Sequence, residues 1–580
     1  MKGFASISNL FMHGIFILLM IMSVVLYKER MFADASYYLF HAINSQWFHV
    51  EHGRTVLALS QVFPIIGTWL HLPLKVVLVL GSLGHEFFYY GVFLTCLYLL
   101  KDKQAALAVI AVHVIGQLSL YWSPMLEICY GAALSVLFYS ILQSNKWEDD
   151  KWLIFMLVVQ WFAMMSHPEN FLLIGVGIAY HFLQNGFQNR IHIGVGIFTI
   201  VGFIVEVLTF SDYEKGHTQL IGVEKKASAL NLIDLAYLQD VIAIFTNFFF
   251  DLILLLVIAL IYMIKRKRWK EMILFVGSIL ALIVIVNQAQ VADEYSRYNE
   301  SMYNPIVFIV VFFYVYEVIR CTNKYISSAS IALLLVISLF RLGWIYNHGE
   351  PLRVRTAQLE RLVDYTQTLE GSKHSIDAKN IYYATWANPI ESLFYSALDG
   401  KEETVSLVTS SDIEFEKNEQ LLKPGVFIFR RFELEPLSFL NKQYFQLDSS
   451  DYVPLNHATF EKPMEEYSKN IKIELLAQES LKHNDSTRFL VKIINTNAEP
   501  LPSLVEHQLF LSYHWFDEAG GQKVWDGKRT KLEVDVHESF VQTMMVILPE
   551  HEGNFFFVPD LLIEGKQWFN LAEKYQLKVD

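Results

Sequence analysis

A stretch rich in aromatic and ionisable residues follows the first long apolar run of the chain. It covers residues 32–54 and reads FADASYYLFHAINSQWFHVEHGR. It is too polar to cross a bilayer and too aromatic for a solvated linker, so we expect it to lie along a membrane surface. A helix over residues 35–48 would place Asp34, Tyr38 and His41 on roughly one face. The alternative at Asp34 is structural, because an aspartate at this position can simply cap the helix.

A second group of ionisable residues closes this stretch. Glu51, His52 and Arg54 lie just before the next apolar run. Charged groups at a membrane are costly unless they are used. A carboxylate or an imidazole can deprotonate a hydroxyl group, and a guanidinium can neutralise a phosphate through two parallel hydrogen bonds. We therefore predict a lipid-facing active site here.

Three further polar groups lie at the ends of apolar runs, next to loops that contain few Lys and Arg. They are Glu127, the SHPEN segment with His167 and Glu169, and the DEYSRYNE segment with Arg297 and Tyr298. Each has a structural alternative, since SHPEN can be a helix end and DEYSRYNE a solvated loop. Their shared position predicts that they converge with Asp34 on one side of the membrane.

The composition is that of an integral membrane protein. Hydrophobic residues make up 53% of the 580 positions, charged residues only 18%, and the mean hydropathy is +0.31. The formal net charge of -13 argues against nucleic acid as a partner, because phosphate contacts require a surplus of Lys and Arg. The three cysteines lie in or beside apolar runs, so they do not reveal the compartment of the C-terminal part.

Roughly twelve apolar segments of about 15 to 29 residues follow one another up to residue 346, lengths that suit the hydrocarbon core. Only helices can cross a bilayer in this way. We therefore predict a polytopic α-helical membrane domain over residues 1–346 with about 11–13 spans. Loops rich in Lys and Arg alternate with loops poor in both, which puts the polar groups on the outward side.

The N-terminal part leaves two topologies open. Twelve full crossings with an outward tail would place Asp34 in the cytoplasm, and Lys28 and Arg30 superficially favour this arrangement. If residues 55–71 are instead re-entrant and broken at Pro64, Asp34 lies on the outward side. We prefer the re-entrant version, because it brings Asp34 to the side of the other polar groups.

The composition changes after residue 346 to that of a soluble globular region. Residues 347–460 alternate between helical and strand patterns, beginning with a helix over 350–370, and predict a small extracytoplasmic α/β unit. Residues 461–580 contain short alternating segments separated by turn residues. They predict an immunoglobulin-like β-sandwich of about seven strands.

The first part of the chain resembles the GT-C superfamily of integral-membrane glycosyltransferases. The resemblance covers about residues 1–346 and rests on an acidic residue in the first external loop, Asp34 within FADASYY, together with the many spans and the external C-terminal region. It implies a sugar donor linked to polyprenyl phosphate or pyrophosphate, and a glycan, lipid or protein acceptor. The adjacent acidic pair of many members is absent here, so a divalent metal is left open and no other cofactor is implied.

The resemblance implies roles for the polar residues. In the superfamily the first-loop acid acts as the base or holds the acceptor or a metal, which here concerns Asp34. The candidate catalytic residues are Asp34, Glu51, His167 and Glu169. The candidates for binding the substrate and the lipid phosphate are Lys28, Arg30, His52, Arg54, Glu127, Arg297 and Tyr298.

The C-terminal part carries a second resemblance. The segments SYHWFD, VWDGKRT and EGKQWF are similar to a β-sandwich module attached to bacterial glycan-assembly proteins. In such modules the implied role is packing or carbohydrate recognition. Trp515, Trp525 and Trp568 are therefore either core residues or residues that stack on sugars.

These observations predict a glycosyltransferase in the bacterial cytoplasmic membrane that uses a polyprenyl-linked sugar at the outer face. The first alternative is a flippase or exporter of lipid-linked glycan, which needs charged groups within spans. Its candidate residues are His13, His85, Glu86, His113 and Glu206. The second alternative is a membrane O-acyltransferase with His113 or His167 as its base.

Overall fold

The structure is a computed structural model that divides the chain into two units. It describes residues 2–124, 127–210, 235–289, 297–367, 369–376, 381, 384–398, 404–409, 425–430, 433–454, 464–478, 481, 486–498, 501, 509–532, 536, 538–563 and 567–579. The first unit consists of Met1–Leu352, Leu398–Gly400 and Ser438–Phe445, and the second contains the rest. The boundary after Leu352 lies close to the change in composition after residue 346.

The first unit is a helical bundle. Its helices are α1 (Lys2–Val25), α2 (Asp34–Ser45), α3 (Ala58–Trp69), α4 (Leu74–Leu94), α5 (Lys103–Ile115), α6 (Glu127–Gln143), α7 (Asp150–Met164), α8 (Asn170–Asn185), α9 (Asn189–Leu208), α10 (Leu235–Phe248), α11 (Phe250–Lys265), α12 (Trp269–Ala289), α13 (Arg297–Phe313) and α14 (Lys324–His348). Two helices continue as wider π-helical turns, α4 over Thr95–Leu99 and α13 over Tyr314–Ile319.

Six helices in the described part of the chain are long and apolar enough to cross a membrane, or seven if a bent pair counts as one span. The bent pair, α10 with α11, changes direction by 98°. The 11–13 spans predicted from the sequence exceed this number of helices. Counting apolar runs does not show where each helix breaks or how long it is. Helix α5 has only 13 residues and is about 20 Å long, which is short of the ~30 Å hydrocarbon core.

The centre of the bundle is formed by helices that are buried on every side. In α5 all residues from Ala105 to Ile115 are buried, and in α6 all residues from Glu127 to Leu142 are buried. Such helices are apolar all round because neighbouring helices surround them. Helix α13 also packs against both of them. Their ends therefore fix the positions of polar groups at the two ends of the bundle.

Helix α3 turns back instead of carrying the chain to the opposite end of the bundle. The indole N–H of Trp69, at its end, donates to the Gln46 carbonyl just after α2 over 3.0 Å. The chain crosses only in α4, after which the Lys146 Nζ donates to the Leu99 carbonyl over 2.7 Å. The return of residues 55–69 toward α2 agrees with a re-entrant segment, but α3 runs unbroken through Pro64, so the predicted break at that residue is wrong. The side of the membrane on which Asp34 lies stays a prediction.

The bundle thus has two polar ends. Asp34 and Glu127 lie at one, which we call the Asp34 end. Gln143, at the opposite end of α6, accepts a hydrogen bond from the Arg320 Nη1 over 3.1 Å, and we call this the Arg268 end after a nearby residue. The 17 residues of α6 separate the two ends by about 25 Å.

A short segment from later in the chain completes the Asp34 end. The Asn44 Nδ2 donates to the Phe439 carbonyl over 2.5 Å, and the Asn441 N–H donates to the Asn44 Oδ1 over 2.6 Å. The Tyr444 hydroxyl donates to the Leu72 carbonyl over 2.9 Å. Residues 438–445 therefore fasten the end of α2 to the turn between α3 and α4.

The boundary between the units falls in the first turn of α15 (Glu350–Thr366), and the second unit also contains helices α16 (Asn388–Ala397) and α17 (Met464–Ser468). Its first strands are β1 (Lys373–Ile376), β2 (Ser406–Thr409), β3 (Val426–Arg430), β4 (Glu433–Pro436) and β5 (Val453–Pro454). Strand β1 lies between β2 and β5 and is parallel to both. Helix α16 packs on β2, so this part has the α/β character that the alternating pattern predicts.

The remaining strands form two antiparallel sheets. They are β6 (Ile471–Gln478), β7 (Ser486–Asn495), β8 (Leu509–Asp517), β9 (Gln522–Val524), β10 (Thr530–Lys531), β11 (Ser539–Ile547), β12 (Gly553–Ile563), β13 (Gln567–Trp568) and β14 (Tyr575–Val579). One sheet has the order β11-β7-β6, and the other has β10-β8-β12-β13 with β14 on β12 and β9 on β8. Phe489 of β7 packs against Phe557 of β12, so both sheets contribute to one core.

Candidate functional site

Helix α2 starts with an unusual backbone conformation. Ala33, directly before it, has φ 53° and ψ -111°, a conformation that non-glycine residues rarely adopt. The Ala33 carbonyl accepts backbone hydrogen bonds from Ser36 and Tyr37, which holds the first turn in place. Asp34 is the first helical residue, and Ala33 holds the N-cap position without a side-chain cap hydrogen bond. The structure therefore does not use Asp34 as the helix cap that we gave as its alternative role.

The chain returns toward α2 through a second tight turn. His52 and Gly53 both have positive φ values, 53° and 71°, and the Arg54 N–H donates to the Glu51 carbonyl over 3.0 Å. Glycine takes this conformation at little cost, whereas a histidine does so only where its surroundings hold it. The turn places Glu51 and Arg54 on the side of α2 that carries Tyr38.

Tyr38 lies within electrostatic range of several of these charges. Its side chain is buried, and burial raises its pKa well above the usual range. The carboxylates of Glu127, Glu51 and Asp34 raise this pKa further, while the Arg54 guanidinium lowers it. These electrostatic effects require all four residues to lie near the Tyr38 phenol. We call the five residues the Asp34 cluster.

An ion pair joins two distant parts of the chain within the cluster. The Arg54 Nη1 lies 2.9 Å from the Glu127 Oε1, and both side chains are largely buried. Glu127 starts α6, where a carboxylate is also stabilised by the helix dipole. Arg54 therefore presents a positive charge at the Asp34 end, in the neighbourhood of three carboxylates.

The SHPEN segment lies beside this ion pair. His167 is close enough to Arg54 for the guanidinium to affect it, and burial together with that charge holds the pKa of His167 well below its usual value. The Glu169 N–H donates to the His167 Nδ1 over 3.4 Å. Since the Nδ1 accepts this bond, the neutral ring carries its proton on the Nε2.

Glu169 differs from the other carboxylates of this region. It is 7% exposed, and its Oε2 has no hydrogen-bond partner within the described part of the chain. Burial raises its pKa to about 8, so the group is protonated at neutral pH. A carboxylic acid that titrates near pH 8 can donate a proton in a reaction at neutral pH.

Tyrosine and histidine side chains line the other side of Glu51. The Tyr37 hydroxyl and the His49 Nε2 both contact the Glu51 Oε1, the latter at 3.3 Å. The His49 ring stacks on that of His41 with centroids 3.8 Å apart, and the His52 Nε2 lies 3.9 Å from the Glu51 Oε2. Tyr37 lies three residues after Asp34 and four before His41, so the helical spacing also places it on this face, and the turn at residues 51–54 brings Glu51 to it.

Two of the predicted phosphate-binding residues lie in the turn between α1 and α2. Lys28 is half-buried in the turn after α1. Arg30 is 2% exposed and donates to the Glu86 Oε1 over 3.0 Å and to the Tyr121 carbonyl over 2.8 Å. The guanidinium of Arg30 is engaged within the helices, so we do not include it in the site.

The remaining predicted site residues lie at the start of α13 and in the second unit. Arg297 and Tyr298 begin α13, but their side chains lie outside the described residues. Trp515 is fully buried in the core of the second unit, whereas Trp525 is 42% exposed. Trp525 and Trp568 flank the His514 ring, with centroids 4.2 and 4.4 Å from it. Of the three tryptophans, only Trp525 and Trp568 have faces that a sugar could reach.

The described residues contain no group of three His, Cys, Asp or Glu side chains that could hold a metal ion. The carboxylates of the Asp34 cluster surround a phenol and a guanidinium and are not arranged as ligands around a common point. We therefore derive no catalytic step through a metal.

Comparison with protein families, with curated proteins and with solved structures finds no match to this chain. The functional argument therefore depends on the side chains of the Asp34 end.

Proposed function

We propose that this protein is a membrane glycosyltransferase of GT-C type, which moves a sugar from a polyprenyl-phosphate or polyprenyl-pyrophosphate donor to a glycan, lipid or protein acceptor. The reaction takes place at the outer face of the bacterial cytoplasmic membrane. Several apolar helices compatible with a membrane protein support this setting. The positive residues near the other end of the bundle support an outward position for the Asp34 end.

The observation that carries the proposal is the convergence of the Asp34 cluster. Arg54 pairs with Glu127 over 2.9 Å although the two are 73 positions apart in the sequence, and both lie with Asp34 and Glu51 within electrostatic range of the buried Tyr38 phenol. His167 and Glu169 join them from a further loop. A base, a proton donor and a cation are therefore available at one end of an apolar bundle, where a lipid-linked substrate would present its phosphate.

The residues suit the chemistry of an inverting transfer. Asp34 accepts the proton of the acceptor hydroxyl as its oxygen forms a bond to the anomeric carbon. The bond from that carbon to the phosphate oxygen breaks, and its electron pair leaves with the lipid phosphate. Arg54 releases Glu127 and neutralises the departing phosphate through its two-pronged guanidinium.

Two neighbouring groups can assist the leaving phosphate. Glu169 is protonated at neutral pH and can donate its proton to the departing oxygen. The neutral His167 can donate a hydrogen bond from its Nε2. Glu169 is buried, which strengthens its electrostatic effect on the charge that develops.

The strands of the second unit support the finer prediction for its C-terminal part. The two antiparallel sheets contribute to one core, as in a β-sandwich of the immunoglobulin-like kind. The exposed Trp525 and its neighbour Trp568 are the candidates for carbohydrate stacking. In this role the module would hold a glycan acceptor outside the membrane.

The test is sugar transfer by the purified protein in lipid nanodiscs with a panel of polyprenyl-phosphate sugars. We expect Asp34→Asn to lower the turnover by about 10²- to 10⁴-fold, because the base is lost while the shape is kept. Asp150→Asn is the matched control, since Asp150 is an exposed carboxylate at the start of α7. Native thermal unfolding of each variant shows that the fold is intact.

Each outcome separates the proposed function from its alternatives. Unchanged turnover in Asp34→Asn would exclude Asp34 as the base and direct the same test to Glu51 and Glu169. The absence of transfer with every donor, together with movement of lipid-linked glycan across vesicles, would replace the glycosyltransferase with a flippase. Transfer of an acyl group in place of a sugar would favour the O-acyltransferase.

A further inference from the structure

A polar cleft opens at the Arg268 end of the bundle. Its empty volume is about 1090 Å³, including the space open to solvent. The side chains that matter here are Tyr180, Arg266, Arg268, Tyr316, Glu317 and Arg320. They come from α8, from the turn between α11 and α12, and from the π-helical turn after α13. The cleft therefore lies where three parts of the bundle meet.

The cleft carries an excess of positive charge. The Arg268 Nη2 lies 3.2 Å from the Glu317 Oε1 and 3.0 Å from the Glu271 Oε1, so Arg268 is neutralised by carboxylates. The Arg320 Nη1 donates to the neutral amide of Gln143, and the Arg266 guanidinium lies 5.7 Å from the centroid of the uncharged Tyr262 ring, which also lines the cleft. Two guanidinium groups in the cleft thus keep their positive charge.

A buried hydroxyl adds a second, independent indication of a ligand. Tyr316 is 2% exposed and lines the cleft, yet its hydroxyl has no hydrogen-bond partner in the part of the chain that the structure describes. A buried polar group without a partner costs free energy. Tyr316 and Glu317 belong to the π-helical turn Tyr314–Ile319, a feature that is rare and frequently found at functional sites.

The cleft is separate from the Asp34 cluster. Helix α6 connects the two, with Glu127 at the Asp34 end and Gln143 beside the cleft, about 25 Å away. Helix α8 runs from the SHPEN segment to Gln184 and Asn185, which also line the cleft. A ligand here would not touch the residues that we assign to sugar transfer.

We propose that this cleft binds a phosphate-bearing anion, either a free phosphate compound or the headgroup of an anionic lipid. Arg266 and Arg320 supply the planar, forked donors that match phosphate oxygens. The Tyr316 hydroxyl is a further donor, buried beside the cleft. Glu317 accepts hydrogen bonds from Arg268 and Tyr180, which leaves the remaining two arginines to face the anion.

A native cysteine provides the measurement. Cys321 lines the cleft and is half-exposed, whereas Cys96 and Cys129 are buried. The rate of maleimide labelling at Cys321 therefore reports occupation of the cleft in the full chain without any engineered probe. The protein is reconstituted in nanodiscs of phosphatidylcholine, with or without inorganic pyrophosphate. A parallel sample contains phosphatidylglycerol and no pyrophosphate.

We expect an anion to slow the labelling of Cys321. Protection by pyrophosphate in phosphatidylcholine identifies a free phosphate compound as the ligand, and protection by phosphatidylglycerol alone identifies a lipid headgroup. The double variant Arg266→Gln with Arg320→Gln should weaken the protection by about tenfold, because charge-assisted hydrogen bonds are lost. Lys270→Gln is the matched control, since Lys270 is an exposed cation outside the cleft lining.

Tyr316→Phe tests the hydroxyl by itself. It removes one buried atom that has no partner, so the fold should be at least as stable, and the anion should bind a few-fold more weakly. The proposal is overturned if neither anion protects Cys321, if sodium chloride at the same ionic strength protects equally, or if the double arginine variant is protected as well as the wild type. None of these readouts depends on sugar transfer.

Discussion

Two groups of charged residues in the helical unit contain the same kinds of side chain but differ in how they are paired. In the first, Glu86 accepts from Arg30 over 3.0 Å and lies 2.8 Å from the His113 Nε2, and all three residues are at most 2% exposed. Ser82 and the Tyr121 carbonyl also accept hydrogen bonds from Arg30, and Gln117 contacts His113. This network connects the turn after α1 with α4 and α5. The polar side-chain atoms of Arg30, Glu86 and His113 all have hydrogen-bond partners in it.

The Asp34 cluster is more open. Glu51 and His52 are each about one quarter exposed, and the neighbouring Glu169 keeps a buried oxygen without a partner among the described residues. Ala33 and His52 hold strained backbone conformations on either side of it. The difference shows that ionisable groups in a membrane protein are not in themselves evidence of function. The satisfied network suits a structural role, and the open cluster suits chemistry.

The largest effect on stability is expected at Glu86, in the network that we assign a structural role. Glu86→Ala leaves the buried Arg30 and His113 without their carboxylate, so we expect the free energy of unfolding to fall by about 3–5 kcal/mol. Glu148→Ala is the control, because Glu148 is exposed and should change stability by less than about 0.5 kcal/mol. Denaturant unfolding in detergent measures both. A loss at Glu86 no larger than that of the control would mean that the network does not hold the helices together.

The second test separates stability from activity at Arg54. Arg54→Gln should lower sugar transfer by about 10²- to 10³-fold, because the cation that faces the phosphate is lost. It should also reduce stability, since Glu127 then lies largely buried without its partner. In the double variant with Glu127→Gln the stability should return while the activity stays low. Arg190→Gln, an exposed arginine, controls for net charge.

Recovery of activity together with stability in that double variant would contradict a role for Arg54 in catalysis. The ion pair would then serve only to hold residues 46–57 against α6. The same measurement therefore decides whether the Arg54–Glu127 pair has a structural role, like the Glu86 network, or a catalytic one.

The smallest change over a single pH unit is expected at Glu169, where the effect accumulates with pH. Its pKa is raised from 4.5 to about 8 in the folded protein. Between these values the native state keeps a proton that the unfolded chain has lost, so the free energy of unfolding falls as the pH rises, by roughly 1 kcal/mol per pH unit. This contribution is fully present below pH 4.5 and is lost as the pH passes 8.

Glu169→Gln keeps the group neutral and should remove this dependence. The difference in unfolding free energy between the variant and the wild type should therefore grow between pH 5 and pH 8 in favour of the variant, by roughly 1 kcal/mol per pH unit. Glu148→Gln is the control, because an exposed carboxylate should give no such trend. The same difference at every pH would show that Glu169 is ionised in the native protein.

The sequence by itself determines the local elements and the division of the chain. The aromatic stretch after the first apolar run forms α2 over Asp34–Ser45, which starts one residue before the predicted range 35–48 and ends three residues before its end. The patterns IKIELLAQ and LFLSYHWFD form β6 and β8. Period and composition suffice here because burial of one face or one stripe selects helix or strand locally.

Only the tertiary structure decides which charges meet. Arg30 follows one apolar run and Arg54 precedes the next. From their positions in the sequence, we predicted that both bind the lipid phosphate. The packing of α4 pairs Arg30 with Glu86, 56 positions away, whereas the turn at His52 brings Arg54 to Glu127. The raised pKa of Glu169 likewise follows from burial by residues that are distant in the sequence. Which charges pair and which are buried depends on how the helices pack against one another. Residue type and loop position alone therefore do not predict it.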